Sequence, residues 1–367
     1  MRSNEQKPDV WLVITILCLL IIGIVMVYSS SSIWSEYKFD DSWFYAKRQI
    51  LFASLGLIAM YMLSRIPYFV WYKHAKLIVI VCLVFLILVL IPGVGMVRGG
   101  ARSWIGIGMF SIQPSEFMKL GLIIFLAKFL SIRQKRMVSF QEGFLPGLAI
   151  ILIPFALIML QPDLGTGVVM VGTCLVMMFV AGARIAHFML IVAGGLAGMA
   201  GLIASAPYRI QRITAFLHPP EDPLGSGFQI IQSLYAIGPG GLLGLGLGKS
   251  MQKFFYLPEP QTDFIYSVLA EELGFLGGSI VLVLFFILLW RGVRASLHAS
   301  DLFGSLLALG IVGMISIQVM INVSVVTGLI PVTGITLPLI SYGGSSLTLT
   351  LAALGLLLSV SRYSNES

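Results

Sequence analysis

Long apolar runs, separated by short polar segments, dominate the hydrophobic pattern of this 367-residue chain. Runs of about twenty apolar residues have the length of a helix that crosses a bilayer. Because lipid offers the backbone no hydrogen-bond partners, such runs form helices rather than strands. The pattern predicts ten spans, near residues 10–30, 46–64, 76–96, 113–131, 144–160, 164–183, 187–206, 268–290, 303–326 and 343–361. The sequence therefore predicts an all-α polytopic membrane protein.

The composition agrees with this interpretation. Hydrophobic residues make up 58% of the chain, charged residues make up 11%, and the mean hydropathy is +0.97. A soluble domain of this length could not bury so much apolar surface. Lys and Arg of the short connecting segments concentrate on the side of both termini, which predicts that both termini are cytoplasmic. The net charge of +7 mainly reflects this topology and argues against nucleic acid as a partner.

The chain is expected to form a single membrane domain, residues 1–367, with one large outer loop at 207–263 between the seventh and eighth spans. Within this loop, apolar residues at helical spacing over 228–235 predict a short amphipathic helix in the outer interface. A glycine-rich run follows at 238–250.

A second outer segment, 327–346, is rich in Gly, Pro, Ser and Thr but is still apolar, which predicts that it re-enters the membrane beside a cavity. Just before it, Asn322 begins a glycosylation sequon, but it lies within a span and is given no such function. The three cysteines have no metal-ligand spacing and the four histidines are scattered, so the sequence predicts no metal site built from these residues.

Charged residues stand at the predicted outer ends of several spans. A charge at bilayer depth costs several kcal/mol unless it faces a cavity or a partner, so its default interpretation is functional. Glu116 and Lys119 share one helix face at spacing i, i+3, and they could line an outward cavity or be a structural ion pair. Asp163 lies in the short turn before the sixth span, where it could line the same cavity or cap the helix.

The stretch LPEPQTDFIYSVLAEELGF, residues 257–275, concentrates acidic residues at the mouth of the eighth span. Thr262 suits an N-cap, which would put Asp263 in the first helical turn, where free N–H groups and the helix dipole favour an ionised carboxylate. Such a carboxylate at an outer cavity can act as a general base, and a helix cap is the alternative. Glu271 and Glu272 lie deeper, and a helix-stabilising polar contact is the preferred interpretation for them.

Seven sequence blocks together carry a family resemblance: RSWIG, QPSEFMKL, QPDLGTG, DPLGSGFQIIQS, LPEPQTDFI, EELGF and GLIPVTGITLPLISYGGSS. In this order, and from about residue 10 to 362, they resemble the SEDS family of bacterial cell-wall proteins, which includes FtsW, RodA and SpoVE. The chain length and runs such as IPGVGMVRGGARSWIG look most similar to the sporulation branch, with the division branch as its near neighbour.

The resemblance implies a peptidoglycan glycosyltransferase that polymerises lipid II at the outer face of the cytoplasmic membrane. It also implies a ten-helix fold and a complex with a class B penicillin-binding protein that cross-links the glycan, together with other cell-wall or divisome proteins. Asp263 matches the essential acid of the family. The positions that match residues thought to line the family's cavity are Glu116, Lys119, Asp163 and Trp104.

The reaction implied by the resemblance needs a base and a counter-charge. The base activates the C4 hydroxyl of an N-acetylglucosamine, and formation of a β-1,4 bond from an α-linked donor inverts the anomeric centre, so one base suffices. The leaving polyprenyl diphosphate needs positive charge or a divalent cation such as Mg²⁺. Candidate cations on the outer side are Lys119, Arg102, Arg209, Arg212, Lys249 and Lys253.

Two other functions are compatible with a polar cavity in such a protein. The chain could flip lipid II across the bilayer, although it shows no inverted repeat and its charged residues cluster toward the outer side rather than at the midplane. It could also be a non-catalytic scaffold that positions a transpeptidase.

Overall fold

The structure is a computed structural model that describes residues 8–98, 101–107, 110–204, 226–254 and 256–363. Helices account for most of these residues, and a small sheet precedes the fourth helix. The helices are α1 (Val10–Phe39), α2 (Phe44–Arg65), α3 (Phe69–Leu88), α4 (Pro114–Arg133), α5 (Leu145–Met159), α6 (Leu164–Val180), α7 (Ile185–Ala204), α8 (Ser226–Ile237), α9 (Ile265–Leu297), α10 (Leu302–Val326) and α11 (Gly344–Arg362).

The described helices include seven that are long and apolar enough to cross a membrane: α1, α2, α3, α5 with the π-helical turn that precedes it, α9, α10 and α11. The α4 helix carries Glu116, Lys119 and Lys128, which interrupt its apolar run. The α6 helix and the described apolar part of α7 are shorter than 18 residues. The polytopic helical architecture is confirmed, whereas the count of ten crossings stays a prediction.

The third predicted span, 76–96, is displaced in the structure, because α3 ends at Leu88. The apolar residues that follow enter a turn and then an antiparallel sheet, which the sequence analysis did not predict. Its strands, in the order β1-β2-β3, are β1 (Met96–Arg98), β2 (Ala101–Ile107) and β3 (Phe110–Ile112). The predicted span ran on to residue 96 because residues 89–96 are mostly apolar, and the short strands, which contain Arg98 and Arg102, show no regular alternation of apolar and polar residues.

Burial separates central from peripheral helices. In the most apolar window of each helix, 83% of the residues of α11 and 61% of those of α10 are buried, against 22% for α3. Large apolar side chains on the outer helices, such as Ile58, Leu77 and Phe286, are exposed in the isolated chain. In a membrane protein these side chains face lipid, so α10 and α11 form the centre of the bundle.

The eighth predicted span is a broken helix. Gly274 in α9 has φ 68° and ψ −167°, and a Cβ at this position would lie 2.3 Å from the backbone nitrogen of Gly244. Four backbone hydrogen bonds of 2.8–3.1 Å join the break to the glycine-rich run: Leu245 to Glu271, Gly246 to Glu272, Phe275 to Gly241 and Leu276 to Leu242, donor first. A break at membrane depth is tolerated when such bonds satisfy the freed backbone groups. The run 238–250 is therefore part of the packed structure rather than a free loop.

The described part of the large outer loop contains the predicted amphipathic helix, α8. The Ser233 hydroxyl lies 2.7 Å from both Ser267 Oγ and the carbonyl oxygen of Val326, which fixes α8 against α9 and α10. Leu234 and Tyr235 are exposed. The remainder of the predicted loop includes 205–225, which lies outside the described residues, so the single-domain boundaries stay a prediction.

The second outer segment has no helix or strand over residues 328–343, and most of its later part is buried. It reaches the middle of α1, where a Cβ on Gly23 would lie 2.4 Å from the carbonyl oxygen of Leu339. This buried course through the helix bundle agrees with the predicted re-entrant segment. It also brings Thr333–Ile335 to the mouth of α9.

Candidate active site

Asp263 does not lie in a helix. The α9 helix begins at Ile265, and Phe264 precedes it without a side-chain cap, so the prediction of Thr262 as the N-cap is wrong. The Thr262 hydroxyl instead donates a 3.0 Å hydrogen bond to the carbonyl of Glu259, and the Thr262 amide donates to the same carbonyl at 3.1 Å. Because these bonds close a turn over 259–262, the helix starts later than the sequence pattern suggested.

The turn that carries Asp263 is held by distant parts of the chain. Three consecutive carbonyl groups of this turn accept long-range hydrogen bonds: Gln261 from the Tyr342 amide at 2.9 Å, Thr262 from Ser341 Oγ at 2.6 Å, and Asp263 from Asn322 Nδ2 at 2.9 Å. Since the donors belong to α10 and the re-entrant segment, tertiary packing rather than helix geometry positions Asp263.

The Asp263 carboxylate is half-buried and lies beside the re-entrant segment. A Cβ on Gly334 would lie 3.9 Å from Asp263 Oδ2, so glycine leaves open space at the carboxylate. Within the described ranges, neither carboxylate oxygen accepts a hydrogen bond. Burial, with a smaller contribution from the negative charge of Glu259, raises the pKa of Asp263 to about 6. A carboxylate with free acceptors and a pKa near neutrality suits a general base.

Asp163 caps α6, as one of its two sequence interpretations proposed. Its Oδ1 accepts a 3.2 Å hydrogen bond from the Thr166 amide. Its Oδ2 accepts from Gln113 Nε2 at 2.9 Å and from Ser115 Oγ at 3.3 Å. The cap therefore also joins the start of α6 to the start of α4, while a role toward substrate stays a prediction.

Glu116 and Lys119 form the predicted ion pair at the start of α4. The distance from Lys119 Nζ to Glu116 Oε1 is 2.8 Å, and the two side chains are 3% and 10% exposed, lysine first. Charges are buried to this extent only when they are paired or functional. The pair lies next to Ser115 in the sequence and hence close to the Asp163 cap.

These groups belong to one continuous set of contacts. A Cβ on Gly165, at the start of α6, would lie 2.6 Å from the carbonyl oxygen of Thr333, and the next residue, Gly334, adjoins the Asp263 carboxylate. We call the set the outer site and define it by four segments: 113–119, 163–166, 259–263 and 333–335. The structure thus brings Glu116, Lys119, Asp163 and Asp263 into one region.

Trp104 and Arg102 lie on β2, one segment before α4. Trp104 pairs in register with Met96 and Arg102 pairs with Val97, and both side chains are half-buried. The sheet leads into the outer site along the chain, because β3 is followed directly by the segment 113–119. It is also joined to the start of α11, where Ser345 Oγ donates a 3.1 Å hydrogen bond to the carbonyl of Ser111 on β3. Roles of Trp104 and Arg102 toward substrate stay predictions.

Lys253 is placed differently from the sequence prediction. Its side chain is 4% exposed, and its Nζ lies 3.3 Å from Glu272 Oε1 and donates to the carbonyl of Gly248. It lines a cavity of about 410 Å³ between α1 and the glycine-rich run, together with Ser29 and Ser32. The ammonium group therefore faces the break in α9 and not the four segments of the outer site, and the binding of diphosphate by Lys253 stays a prediction.

The same cluster explains the two deeper acids. Glu272 accepts hydrogen bonds from Ser29 Oγ at 2.8 and 2.6 Å, and Glu271 accepts from the Ser250 hydroxyl and from the Met251 amide at 2.8 Å. They fasten the glycine-rich run to the broken helix, which agrees with the preferred structural interpretation. Of the other predicted cations, Lys249 is exposed, and Arg209 and Arg212 lie outside the described residues.

A divalent cation has partial ligands in the outer site. The described residues contain no group of three or more His, Cys, Asp and Glu that could hold a metal ion. Asp263 and Glu259 are neighbouring carboxylates, and the buried Gln261 Oε1 beside them has no partner in the described chain. Mg²⁺ commonly takes one or two carboxylates and completes its shell with substrate phosphates and water. With Asp263 kept free as the candidate base, Glu259 and Gln261 fit a cation shared with a diphosphate, and Mg²⁺ itself stays a prediction.

Sequence reasoning missed Asn322 and the course of residues 333–335. Asn322 was dismissed as a sequon inside a span, yet its amide bonds to Asp263. A buried amide within an apolar helix is itself a signal, because polar groups at membrane depth need partners. The approach of Gly334 to Asp263 depends on tertiary packing and leaves no local pattern.

Comparison with known proteins gives consistent matches over nearly the whole chain. The family model for FtsW, RodA and SpoVE, described as cell cycle protein, matches residues 10–366. Stage V sporulation protein E of Bacillus subtilis strain 168 is 65% identical, over 99% of this chain and 100% of the relative. The probable peptidoglycan glycosyltransferase FtsW of Trichlorobacter lovleyi is 43% identical, over 96% of this chain and 93% of the relative.

Solved structures share the fold. The rod shape determining protein RodA of Thermus thermophilus superposes with a TM-score of 0.73 at 31% identity, covering 98% of each chain. A chain from a peptidoglycan synthase complex, studied for its coordination of polymerization and crosslinking, gives a TM-score of 0.80 at 34% identity, covering 97% of this chain and 98% of that one. These matches confirm the resemblance drawn from the seven sequence blocks.

Proposed function

The chain belongs to the FtsW, RodA and SpoVE family of cell cycle proteins, and from this premise we propose that it polymerises lipid II into β-1,4 glycan strands. It is a multi-pass membrane protein of cell-wall synthesis, and in this proposal its outer site faces away from the cytoplasm. The similarity to stage V sporulation protein E favours a role in the spore cortex, with division as the alternative.

The observation that carries the proposal is the state of Asp263. Its backbone is fixed by a long-range hydrogen bond, its carboxylate oxygens have no hydrogen-bond donor in the described chain, and burial raises its pKa to about 6. A carboxylate that served only as a cap or as half of an ion pair would have its oxygens occupied, as those of Asp163 are. Asp263 is thus the acid of the outer site that is best prepared to accept a proton.

In the proposed reaction, Asp263 removes the proton of the C4 hydroxyl of the acceptor N-acetylglucosamine. The oxygen forms a bond to the anomeric carbon of the donor N-acetylmuramic acid as the bond from that carbon to the diphosphate oxygen breaks. The anomeric centre inverts, polyprenyl diphosphate leaves, and Asp263 returns its proton to water. A single base supports this sequence without a covalent enzyme intermediate.

The leaving diphosphate requires positive charge. Lys119 is the predicted cation that the structure places in the outer site, although it is paired with Glu116. Glu259 and the amide oxygen of Gln261 are the groups that would hold a divalent cation, which would neutralise diphosphate charge and leave Asp263 to accept the proton. Arg102 and Lys249 remain candidates that could approach the substrate from the sheet and from the glycine-rich run.

The expected partner is a class B penicillin-binding protein that cross-links the glycan. Support comes from the similarity to a chain of a peptidoglycan synthase complex in which polymerization and crosslinking are coordinated. Lipid substrates with polyprenyl tails suit a site at the membrane interface, where the outer site lies beside α4 and α9. Other cell-wall or divisome proteins are further expected partners.

The function is tested by polymerisation of purified lipid II. The protein is co-purified with its penicillin-binding partner, the transpeptidase is blocked by a β-lactam, and no other glycosyltransferase is present. We expect long glycan chains from the wild type and none from Asp263→Ala, which controls for contaminating polymerases. If two intact complexes both gave no polymer, the flippase or scaffold function would replace this proposal, and a lipid II translocation assay in vesicles would separate those two.

The rate of polymerisation is expected to rise with pH through a midpoint near 6. Burial raises the pKa of Asp263 to about 6, and the protonated acid cannot accept a proton, so the rate falls about tenfold per pH unit well below the midpoint and levels off above it. Initial rates with lipid II well below its half-saturating concentration, between about pH 5 and 8, report the pKa of the free enzyme and measure this. Size-exclusion profiles at each pH control for dissociation, and a rate independent of pH across this range would exclude Asp263 as the base.

A further inference from the structure

Asn322 connects two segments that form opposite walls of the outer site, the turn 259–263 and the re-entrant residues 333–335. Its side chain is 1% exposed on α10, four residues before Val326, the last residue of that helix. Its Nδ2 donates to the carbonyl of Asp263 at 2.9 Å and to the carbonyl of Ile335 at 2.8 Å. One amide nitrogen therefore uses both of its hydrogens to join the turn 259–263 to the re-entrant segment.

The placement of Asp263 depends strongly on this bond. Asp263 precedes α9, so no helical hydrogen-bond ladder fixes it. The bonds from Ser341 and Tyr342 reach the two residues before it, and in the described chain Asn322 is the side chain that bonds to the backbone of Asp263 itself.

The second hydrogen bond of the Asn322 amide, to the carbonyl of Ile335, fixes the segment that faces the Asp263 carboxylate. Ile335 directly follows Gly334, whose α-carbon points any added Cβ to within 3.9 Å of Asp263 Oδ2. Asn322 thus bonds to Asp263, which carries the carboxylate, and to Ile335. Ile335 is the neighbour of Gly334, the residue that limits the space beside that carboxylate. The separation between these two walls is set through one side chain.

We propose that Asn322 is a positioning residue for the general base, holding the Asp263 carboxylate at the distance from Gly334 that admits the acceptor hydroxyl. The inference rests on the proposed function of Asp263. Asn322 acts through the backbone and does not touch substrate. Effective proton transfer needs the base within hydrogen-bond reach of the hydroxyl, and a misplacement of about 1 Å can cost about 100-fold in rate.

The chemistry of an amide is needed at this position. Leucine has nearly the shape of asparagine but no donor, so Asn322→Leu leaves both carbonyls without their bonds and frees the turn. Glutamine keeps the two donors on a chain one methylene longer, so Asn322→Gln retains part of the connection. Gln318 provides a matched control, because it lies one turn earlier on α10, is 3% exposed, and has an amide oxygen without a partner in the described chain.

The experiment compares wild type, Asn322→Leu, Asn322→Gln and Gln318→Leu in the lipid II assay with the penicillin-binding partner. We expect Asn322→Leu to lower the maximal rate about 10- to 100-fold while the lipid II concentration at half-maximal rate stays within about twofold. Asn322→Gln recovers at least about fivefold of that loss, and Gln318→Leu stays within about twofold of wild type.

Two outcomes overturn the inference: an Asn322→Leu rate within twofold of wild type, or a rate loss accompanied by a raised lipid II concentration at half-maximal rate and no recovery in Asn322→Gln. The latter is what a purely structural role produces. Hydrogen exchange of the amides at 261–264 provides a readout that does not require activity. Faster exchange there in Asn322→Leu than in Gln318→Leu supports the connection, and equal exchange in these two variants contradicts it. A wild type that makes no polymer refutes the proposed function, whereas this exchange comparison still decides the role of Asn322.

Discussion

Replacement of Asp263 by asparagine is expected to lower the rate of lipid II polymerisation by about 10²- to 10⁴-fold while the protein stays folded. The two side chains have the same shape, and the backbone carbonyl of residue 263 keeps its hydrogen bond from Asn322. Since the described residues donate no hydrogen bond to the carboxylate, replacing it by an amide breaks no hydrogen bond within the described chain. What is lost is the ability to accept a proton from the acceptor hydroxyl.

The stability of this variant should equal or exceed that of the wild type, and the sign follows from the pKa. The folded-state pKa of Asp263, about 6, is above the ordinary value of 3.8 for an aspartate, so the fold disfavours the ionised carboxylate. Above pH 6 the ionised acid therefore destabilises the native state, and a neutral amide removes that cost. A loss of activity with an unchanged or raised Tm is the expected combination.

Initial rates with purified lipid II and Tm values in the same detergent measure both effects. Asp41→Asn is the matched control, because Asp41 is an acid at the outer end of α1 that pairs with Lys47 away from the outer site. It should change the rate by less than about twofold. If Asp263→Asn kept more than a tenth of the wild-type rate, Asp263 would be a structural acid and the base would have to be sought elsewhere in the outer site.

The helices and the candidate acids were predictable from the sequence, but the geometry of the site was not. Hydropathy reports that residues 268–290 are apolar over a membrane-spanning length, and α9 confirms it. Hydropathy does not show whether the helix is continuous, so the break at Gly274 was missed. The close approach of the two backbones requires glycine at both 244 and 274. The sheet at 96–112 was missed for a different reason, because its strands are short and, with Arg98, Arg102 and Ser103 among apolar residues, show no regular alternation.

The contacts of polar residues were predictable only when both partners lie on the same helix. Glu116 and Lys119 were recognisable as a pair because i, i+3 spacing is a local property of a helix. Lys253 is one of six candidate cations for the diphosphate, and its pairing with Glu272 was not predictable because Glu272 lies on another segment that only the fold brings near. Asn322 was overlooked because both of its acceptors are backbone groups, which no sequence pattern displays. Local spacing predicted the partners within one element, and tertiary contacts decided the rest.

Replacement of Lys119 by methionine is expected to destabilise the protein by about 3–5 kcal/mol and to abolish polymerisation. Methionine fills much of the lysine volume but leaves the Glu116 carboxylate, whose side chain is 10% exposed, without its partner at 2.8 Å. A buried charge that has lost its partner destabilises the fold more than removal of both charges of the pair does. Chemical unfolding in mixed micelles measures the stability, with Lys47→Met at the exposed Asp41 pair as a control that should show no measurable change.

The double variant Glu116→Gln/Lys119→Met separates the two interpretations of this pair. Removing both charges relieves the unpaired carboxylate, so most of the stability lost in Lys119→Met should return. If Lys119 supplies positive charge to the leaving diphosphate, the double variant folds but still polymerises at least about 100-fold more slowly than wild type. If the pair only stabilises the start of α4, activity returns with stability. We expect the first result, because the pair lies in the outer site and connects through Ser115 and Asp163 to the segment that faces Asp263.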